Sequence, residues 1–303
     1  MTTQRPMRLR RCELAVPGSN ESMVEKAVAS AADLVFLDLE DAVAPNAKVA
    51  TRDKIVTALH ELDWGRKTRC VRINDLTTQW AYEDIIHLME NAADKLDVIM
   101  VPKVRDARDV LWVDTLLNQI EQKLRLTRRV GLEVLIEEVE AMINVVEIAK
   151  STPRLEAIIF GPGDYSASQG VDRKAIDAGD YPGDAWHYQR HRLVIAARAA
   201  GIDPIDGPYG NFRDPEGYRR EAQRGMILGC VGKWAVHPSQ IDIALETYTP
   251  NPDDVAAARR VVAAYEKAEA EGQGAVNVDG MLIDAASARR RYNLIRRADL
   301  IGM

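Results

Sequence analysis

The 303-residue sequence predicts an α/β protein, a (β/α)8 TIM barrel followed by a C-terminal helical extension. Three observations predict it. Short runs rich in Val, Ile and Leu, bounded by Gly, Pro or Asp, recur about eight times, and they are apolar throughout, as strands buried on both faces are. Segments of helical periodicity separate them, giving the strand–helix alternation of a barrel. No G-x-G-x-x-G fingerprint follows the first run, and eight units exceed the usual strand count of a doubly wound sheet.

The runs, in order, are Cys12–Val16, Leu34–Leu39, Arg69–Ile73, Asp97–Pro102, Leu132–Ile136, Ala157–Phe160, Asp203–Ile205 and Lys233–Val236. Between the fourth and fifth, Val110, Val113, Leu117, Ile120 and Leu124 step by three and four along Asp106–Leu124, one face of a helix. Val139, Met142, Ile143 and Val146 repeat the pattern after the fifth. Asp172–Asp184, polar and rich in Gly and Asp, reads as a long loop after the sixth strand. The barrel is expected over residues 1–250. Residues 251–303 form the extension: a helix over Asp253–Ala270, a linker EGQGAVNVDG and a last helix. A barrel core does not need this tail.

Composition narrows the partners. Forty basic against 46 acidic side chains leave a net charge of −6, with none of the clustered positive charge that nucleic acid requires. No apolar run approaches the roughly 18 residues of a membrane span, and the basic start MTTQRPMRLRR is not followed by the apolar core of a secretory signal. Cys12, Cys70 and Cys230 are scattered and odd in number, which supports neither disulfides nor a zinc ribbon. The expectation is a cytoplasmic protein with no membrane and no nucleic-acid partner.

In such a barrel, chemistry sits at the C-terminal ends of the strands. Those ends carry Asp38, Glu40 and Asp41, then Arg72 and Asn74, Lys103, Glu137 and Glu138, Gly161-Pro162-Gly163-Asp164, Asp206, and His237. So many carboxylates on one rim would repel strongly unless a cation sat among them. Mg2+ takes one or two carboxylates and leaves its other positions to water and substrate. Glu137 and Asp164, on adjacent strands, are the natural pair. Blander readings stand beside this one. A lone strand-end Asp is more often a helix cap, and Asp41 could cap the next helix or pair with Lys48 or Arg52. Arg72 could be a structural partner for Glu40, and His237 could merely close the last strand.

The motifs VPGS (Val16–Ser19), FLDLEDAV (Phe36–Val43), VRIN (Val71–Asn74), IMVPKV (Ile99–Val104), GPGD (Gly161–Asp164) and KWAVHPSQI (Lys233–Ile241) together resemble the citrate-lyase-β-like (HpcH/HpaI aldolase) superfamily. DWGRK (Asp63–Lys67), DGPYGNF (Asp206–Phe212) and DGMLID (Asp279–Asp284) are most similar to its malyl-CoA lyase branch. The resemblance implies a Mg2+-dependent lyase, with Mn2+ as the alternative ion, acting on a CoA thioester and a small 2-oxo acid. It implies cleavage of (S)-malyl-CoA, and of β-methylmalyl-CoA, to glyoxylate and acetyl-CoA or propionyl-CoA. Citramalyl-CoA lyase and malyl-CoA thioesterase are the alternatives. By the same resemblance Glu137 and Asp164 hold the metal and Arg72 binds substrate. Asp284 is the acid/base, offered to a neighbouring subunit of a trimer or hexamer, so the tail is a lid. Lys26, Gly163, Val236 and His237 contact substrate or CoA, and Glu40 and Asp41 stand behind the site. Asn20 and Ala15 depart from the pattern, standing where that branch carries an arginine and an aromatic. Asp253–Ala270 and Arg289–Arg297 would be the contact elements between subunits.

Overall fold

The computed structural model describes residues 5–172, 176 and 183–303, so most of the expected loop Asp172–Asp184 lies outside the described residues. The chain divides into two units, one built on Arg10–Thr247 and the other on Tyr248–Met303 with Met7–Leu9.

In the first unit eight parallel strands close into a barrel in sequence order. They are β1 (Cys12–Pro17), β2 (Leu34–Asp38), β3 (Thr68–Arg72), β4 (Val98–Val101), β5 (Gly131–Ile136), β6 (Leu155–Phe160), β7 (Asp203–Asp206) and β8 (Gly232–Ala235). All eight expected runs are strands, with ends shifted by one or two residues. The helices that follow them include α1 (Glu21–Ala29), α2 (Lys48–Glu61), α3 (Ala81–Ala92), α4 (Ala107–Leu124), α5 (Val139–Ile143), α6 (Val145–Lys150), α7 (Pro162–Gln169), α8 (His187–Ala200), α9 (Pro215–Leu228) and α10 (Ile241–Tyr248). The helix expected through Val139–Val146 is interrupted at Asn144, and Ile143 is 66% exposed, so spacing by three and four did not there mark a single buried face.

Side chains alternate across a strand, and this decides what lines the barrel. Leu34 and Phe36, Cys70, Val98 and Met100, Leu135, Ala157 and Ile159, Ile205 and Trp234 point inward and form one cluster. Val35, Leu37, Val71, Ile99, Val134, Ile136 and Ile158 point outward into the larger cluster beneath the helices. Two residues further along the inward rows of β2, β3 and β5 stand Asp38, Arg72 and Glu137. The interior is therefore layered, with charge at the C-terminal end and an apolar middle that includes the Phe36 and Trp234 rings, 4.5 Å apart.

Charge returns at the other end. The Arg10 guanidinium bonds Glu133 (2.7 Å), Glu156 (2.6 Å) and Asp203 (3.1 Å), all reached from the N-terminal ends of β5, β6 and β7. Glu13 joins them and accepts a 2.8 Å bond from Trp234 Nε1. Burial, then the neighbouring Glu133 charge, push the Glu13 carboxyl well above its ordinary value, against the pull of Arg10. The strands are thus less uniformly apolar than expected, since CELAVP and GLEVLI each bury a glutamate. Asp206, expected on the rim, is fully buried as well: Lys233 Nζ (2.7 Å) and Arg190 Nε (2.8 Å) hold it from β8 and α8.

In the second unit α11 (Pro252–Ala270), capped by Asn251, and α12 (Ala285–Ile301) bury Val261, Tyr265, Ile283 and Ala288 together. Four of the ten residues of the expected linker form a strand. Ala275–Val278 pairs antiparallel with Met281–Asp284 around Asp279 and Gly280, whose φ values of 52° and 81° are those of a two-residue hairpin turn. Four residues are too few for alternation to stand out in a sequence. No described helix is long and apolar enough to cross a membrane.

Removing one partner from a buried ion cluster leaves charge uncompensated. Arg10→Met is therefore expected to lower unfolding stability by about 3–5 kcal/mol in urea titrations. Glu13→Gln should behave oppositely. A carboxyl held protonated by the fold binds more protons folded than unfolded, so its contribution to stability declines as pH rises from its unfolded value towards its raised one. Measured between about pH 5 and about pH 8, the Gln variant should gain on the wild type as pH increases.

Candidate functional site

The site is built on the inward row of charged residues. Arg72 ends β3, and its Nε and a terminal nitrogen donate to the two Asp38 oxygens, each at 2.7 Å. Asp38 in turn accepts from the backbone N–H of Glu40 (2.9 Å) and Ala42 (3.0 Å), which folds the chain after β2 back over its own end. Burial pulls the Arg72 guanidinium down, but the Asp38 charge and hydrogen bonds, joined by the Glu40 and Glu137 charges, together outweigh it and keep the group cationic. The remaining guanidinium nitrogen lies 3.0 Å from Glu40 Oε2, yet that oxygen receives no aligned hydrogen bond. Beneath the guanidinium lie the Phe36 and Trp234 rings, at 5.9 and 5.8 Å. Arg72 is thus pinned along one edge, floored by aromatics, and free to offer its other N–H groups upward.

Glu40 is more than a partner of Arg72. Its Oε1 accepts from Lys103 Nζ at 2.6 Å, and the same ammonium sits 3.2 and 3.3 Å from the Asp41 oxygens. Asp41 therefore neither caps α2 nor pairs with Lys48 or Arg52. Lys48 Nζ instead donates to the carbonyls of Leu39 (2.9 Å) and Glu40 (2.8 Å) and to Asn74 Oδ1 (2.5 Å). Asp84 holds Asn74 through two bonds and receives Arg52 Nε at 2.7 Å. A buried lysine and its polar partners thus fix the Asp38–Asp41 turn from behind.

Glu137 follows β5 and is buried. Its Oε1 accepts from the Lys103 backbone N–H at 2.9 Å. Its Oε2 faces Gly161, where a Cβ would stand 2.6 Å from it, so only glycine fits there. Gly161 precedes α7, whose first turn begins with Pro162 and carries Asp164. Burial, and next the Asp164 charge, push the Glu137 carboxyl up to about 8. Two acidic groups are thus close enough to oppose each other's ionisation, with a glycine clearing space at the open oxygen. That donor set fits a hard divalent cation, which would relieve the repulsion. Among the described residues no group of three His, Cys, Asp or Glu side chains gathers into a metal cluster. The two carboxylates Glu137 and Asp164 match the number that Mg2+ commonly takes from protein.

The other expected residues are spread around this centre. Gly163 sits in the first turn of α7 and its carbonyl accepts from Ser166 Oγ. Val236 follows β8, and its N–H donates to Gln240 Oε1 at 2.8 Å. The exposed His237 ring stacks on Phe212, 4.7 Å away, with Nδ1 beside Ser239 Oγ. Lys26 is exposed in the last turn of α1, and Asn20 caps that helix by accepting from Met23 N–H. Asp284, in the second unit, is exposed and caps α12, its Oδ1 accepting from Ser287 N–H at 2.8 Å. That bond lowers its carboxyl below the ordinary range. Sequence reasoning put Asp38 and Lys103 on the rim without a task of their own and offered Lys48 only as a partner of Asp41. For Asp38 a signal existed, since it shares the inward row of β2 with Leu34 and Phe36. For Lys48 and Lys103 none did, because their importance lies in contacts across 26 and 63 positions of sequence.

Comparison with known proteins agrees with this geometry. The chain is 43% identical over 307 residues to the L-malyl-CoA/beta-methylmalyl-CoA lyase of Cereibacter sphaeroides, covering 98% of this chain and 96% of that protein. It is 36% identical to a (3S)-malyl-CoA thioesterase of the same species, covering 90% and 89%. The solved structure of protein CitE from Mycobacterium tuberculosis, in complex with magnesium, acetoacetate and coenzyme A, is 28% identical with a TM-score of 0.74, covering 96% of this chain and 98% of that one. The family model for HpcH/HpaI aldolase/citrate lyase matches residues 11–238, most of the barrel and every rim residue described above, and the chain belongs to that family.

Proposed function

We propose that the protein is a Mg2+-dependent carbon–carbon lyase that splits (S)-malyl-CoA, and β-methylmalyl-CoA, into glyoxylate and acetyl-CoA or propionyl-CoA, reversibly. The observation that carries this reading is the Glu137–Asp164 carboxylate pair next to an arginine fixed along one edge. Glu137 and Asp164 would hold the metal, and when bound it supplies Lewis acidity to the 2-oxo acid.

The chain's own residues supply the rest. Arg72 offers its free N–H groups to glyoxylate oxygen, and these charge-assisted bonds strengthen as negative charge collects there during carbon–carbon cleavage. Because Asp38 already fixes the guanidinium plane, little reorganisation is needed when that charge appears. The Phe36 and Trp234 rings close the floor and keep water from the oxygen on that side. Asp284 of a neighbouring subunit takes a proton from the acyl-CoA α-carbon in condensation, and returns it to the enolate in cleavage. Lys26 meets the CoA phosphates, while Gly163, Val236 and His237 line the path of the acyl group.

Sharing of Asp284 requires an oligomer, and we assign a trimer or hexamer. Exposed apolar side chains on α5 and α8 support subunit contact: Ile143, Tyr188 (63% exposed) and Ile195 (55%).

Glu137→Ala should abolish metal-dependent activity, and activity surviving in EDTA would refute the ligand assignment. Asp284→Asn should leave metal and CoA-ester binding nearly intact while kcat falls by about 10²–10⁴-fold, the usual contribution of a positioned acid/base. The similarity to a thioesterase makes the product test decisive. Incubation with (S)-malyl-CoA should yield glyoxylate and acetyl-CoA; release of malate and free CoA instead would identify a hydrolase.

A further inference from the structure

Lys103 has a left-handed backbone, φ 49°, though it is not glycine. That region is disfavoured for a residue with a Cβ, and the residues that enter it most readily are Gly, Asn and Asp, whose geometry or short polar side chain eases it. A lysine there is held by its surroundings, and strain of this kind concentrates where function demands a fixed geometry. We propose that Lys103 is a positioning residue for the carboxylate pair. Its ammonium, bound between Glu40 and Asp41, locks its own backbone in the conformation that aims its N–H at Glu137 Oε1.

Three contacts carry the argument. The ammonium reaches Glu40 Oε1 at 2.6 Å and the Asp41 oxygens at 3.2 and 3.3 Å, on a turn that Asp38 and Lys48 hold rigid. The backbone N–H of the same residue donates to Glu137 Oε1 at 2.9 Å. The other oxygen, Oε2, is turned to Gly161, which opens the turn carrying Asp164. One residue therefore links the arginine-holding glutamate to the metal-holding one, and chooses which Glu137 oxygen is left for a cation. Glu137 would then meet a cation with Oε2, the oxygen that Lys103 does not hold.

The proposal rests on the metal reading above, and its sign separates it from a spectator role. A lysine ammonium close to Asp164 repels a cation. If electrostatics were its only effect, neutralising Lys103 would leave metal affinity unchanged or raise it. If Lys103 positions Glu137, neutralising it weakens the metal despite removing a positive charge.

The experiment titrates the full chain with Mn2+, followed by electron paramagnetic resonance of the free ion, and with Mg2+ by calorimetry, without substrate. Thermal unfolding is recorded alongside. Lys103→Met should weaken both ions about tenfold or more, as loss of a ligand-orienting partner does, and Lys103→Arg should recover most of the affinity. Lys103→Gln carries the test if the Met variant fails to fold. Equal or tighter binding in a folded neutral variant, or an Arg variant as weak as Met, overturns the proposal. Because no thioester is present, a wild type that binds metal without cleaving malyl-CoA refutes only the proposed reaction. An active wild type whose neutral variants bind metal normally refutes only the role of Lys103.

Discussion

The site depends on an excess of negative charge placed where water is scarce. Among the described residues, the ion pairs that Arg72 and Lys103 make on this rim go to Asp38, Glu40 and Asp41, while Lys48 lies behind the turn on carbonyls and Asn74, so Glu137 and Asp164 are paired with neither. Arg72 satisfies Asp38 and approaches Glu40; Lys103 joins Glu40 to Asp41 and gives Glu137 only a neutral N–H. What is left over is concentrated on Glu137 and Asp164. Burial first, and then repulsion from Asp164, push the Glu137 carboxyl up to about 8. A divalent cation held by the pair would relieve that imbalance.

The opposite end of the same barrel answers a similar difficulty differently. There Arg10 gathers Glu133, Glu156 and Asp203 around one guanidinium, and Glu13 keeps its proton. The contrast follows from access: the N-terminal end is sealed by the chain before β1, whereas the C-terminal end is bounded by turns that hold their carboxylates apart. Between the two lies an apolar layer, including Phe36 and Trp234, that keeps the networks from merging. Charge at one end therefore serves stability, and at the other serves chemistry, a division common to barrels of this kind.

The barrel and most of its rim were legible in the sequence because both depend on local patterns. Apolar runs at regular spacing mark strands, and the residue just past each run is on the rim. That logic put Glu137 on the rim, with Arg72 near the end of the third run and Asp164 in the GPGD turn after the sixth. It failed where the polar residue is inside a run or where its meaning is a distant contact. Asp206 ends β7 as expected but is consumed by Lys233 and Arg190, neither of which announces itself as its partner. Glu13 and Glu133 were absorbed into runs read as apolar, since one acidic residue in six does not disturb the pattern. Lys103 needs a backbone angle that no residue type at that position encodes. The strand Ala275–Val278 was hidden by its own brevity, although the Asp279-Gly280 turn that makes it a hairpin is a recognisable pair.

Asp284 shows how a helix cap can be compatible with proton transfer. Its Oδ1 is committed to Ser287 N–H, and that bond stabilises the anion, so the group is ionised and ready to accept a proton at neutral pH. The same bond makes it a weak base. A weak base removes a proton from carbon only where the alternative, a solvated carboxylate, is denied to it and where the acid is held against it. The cap serves the second condition, because it fixes the carboxyl in one orientation at the start of its helix. Exclusion of water must then come from whatever surface Asp284 meets. In the proposed reaction that surface is a neighbour's barrel rim, so closing the lid and raising the basicity of the carboxylate are a single event.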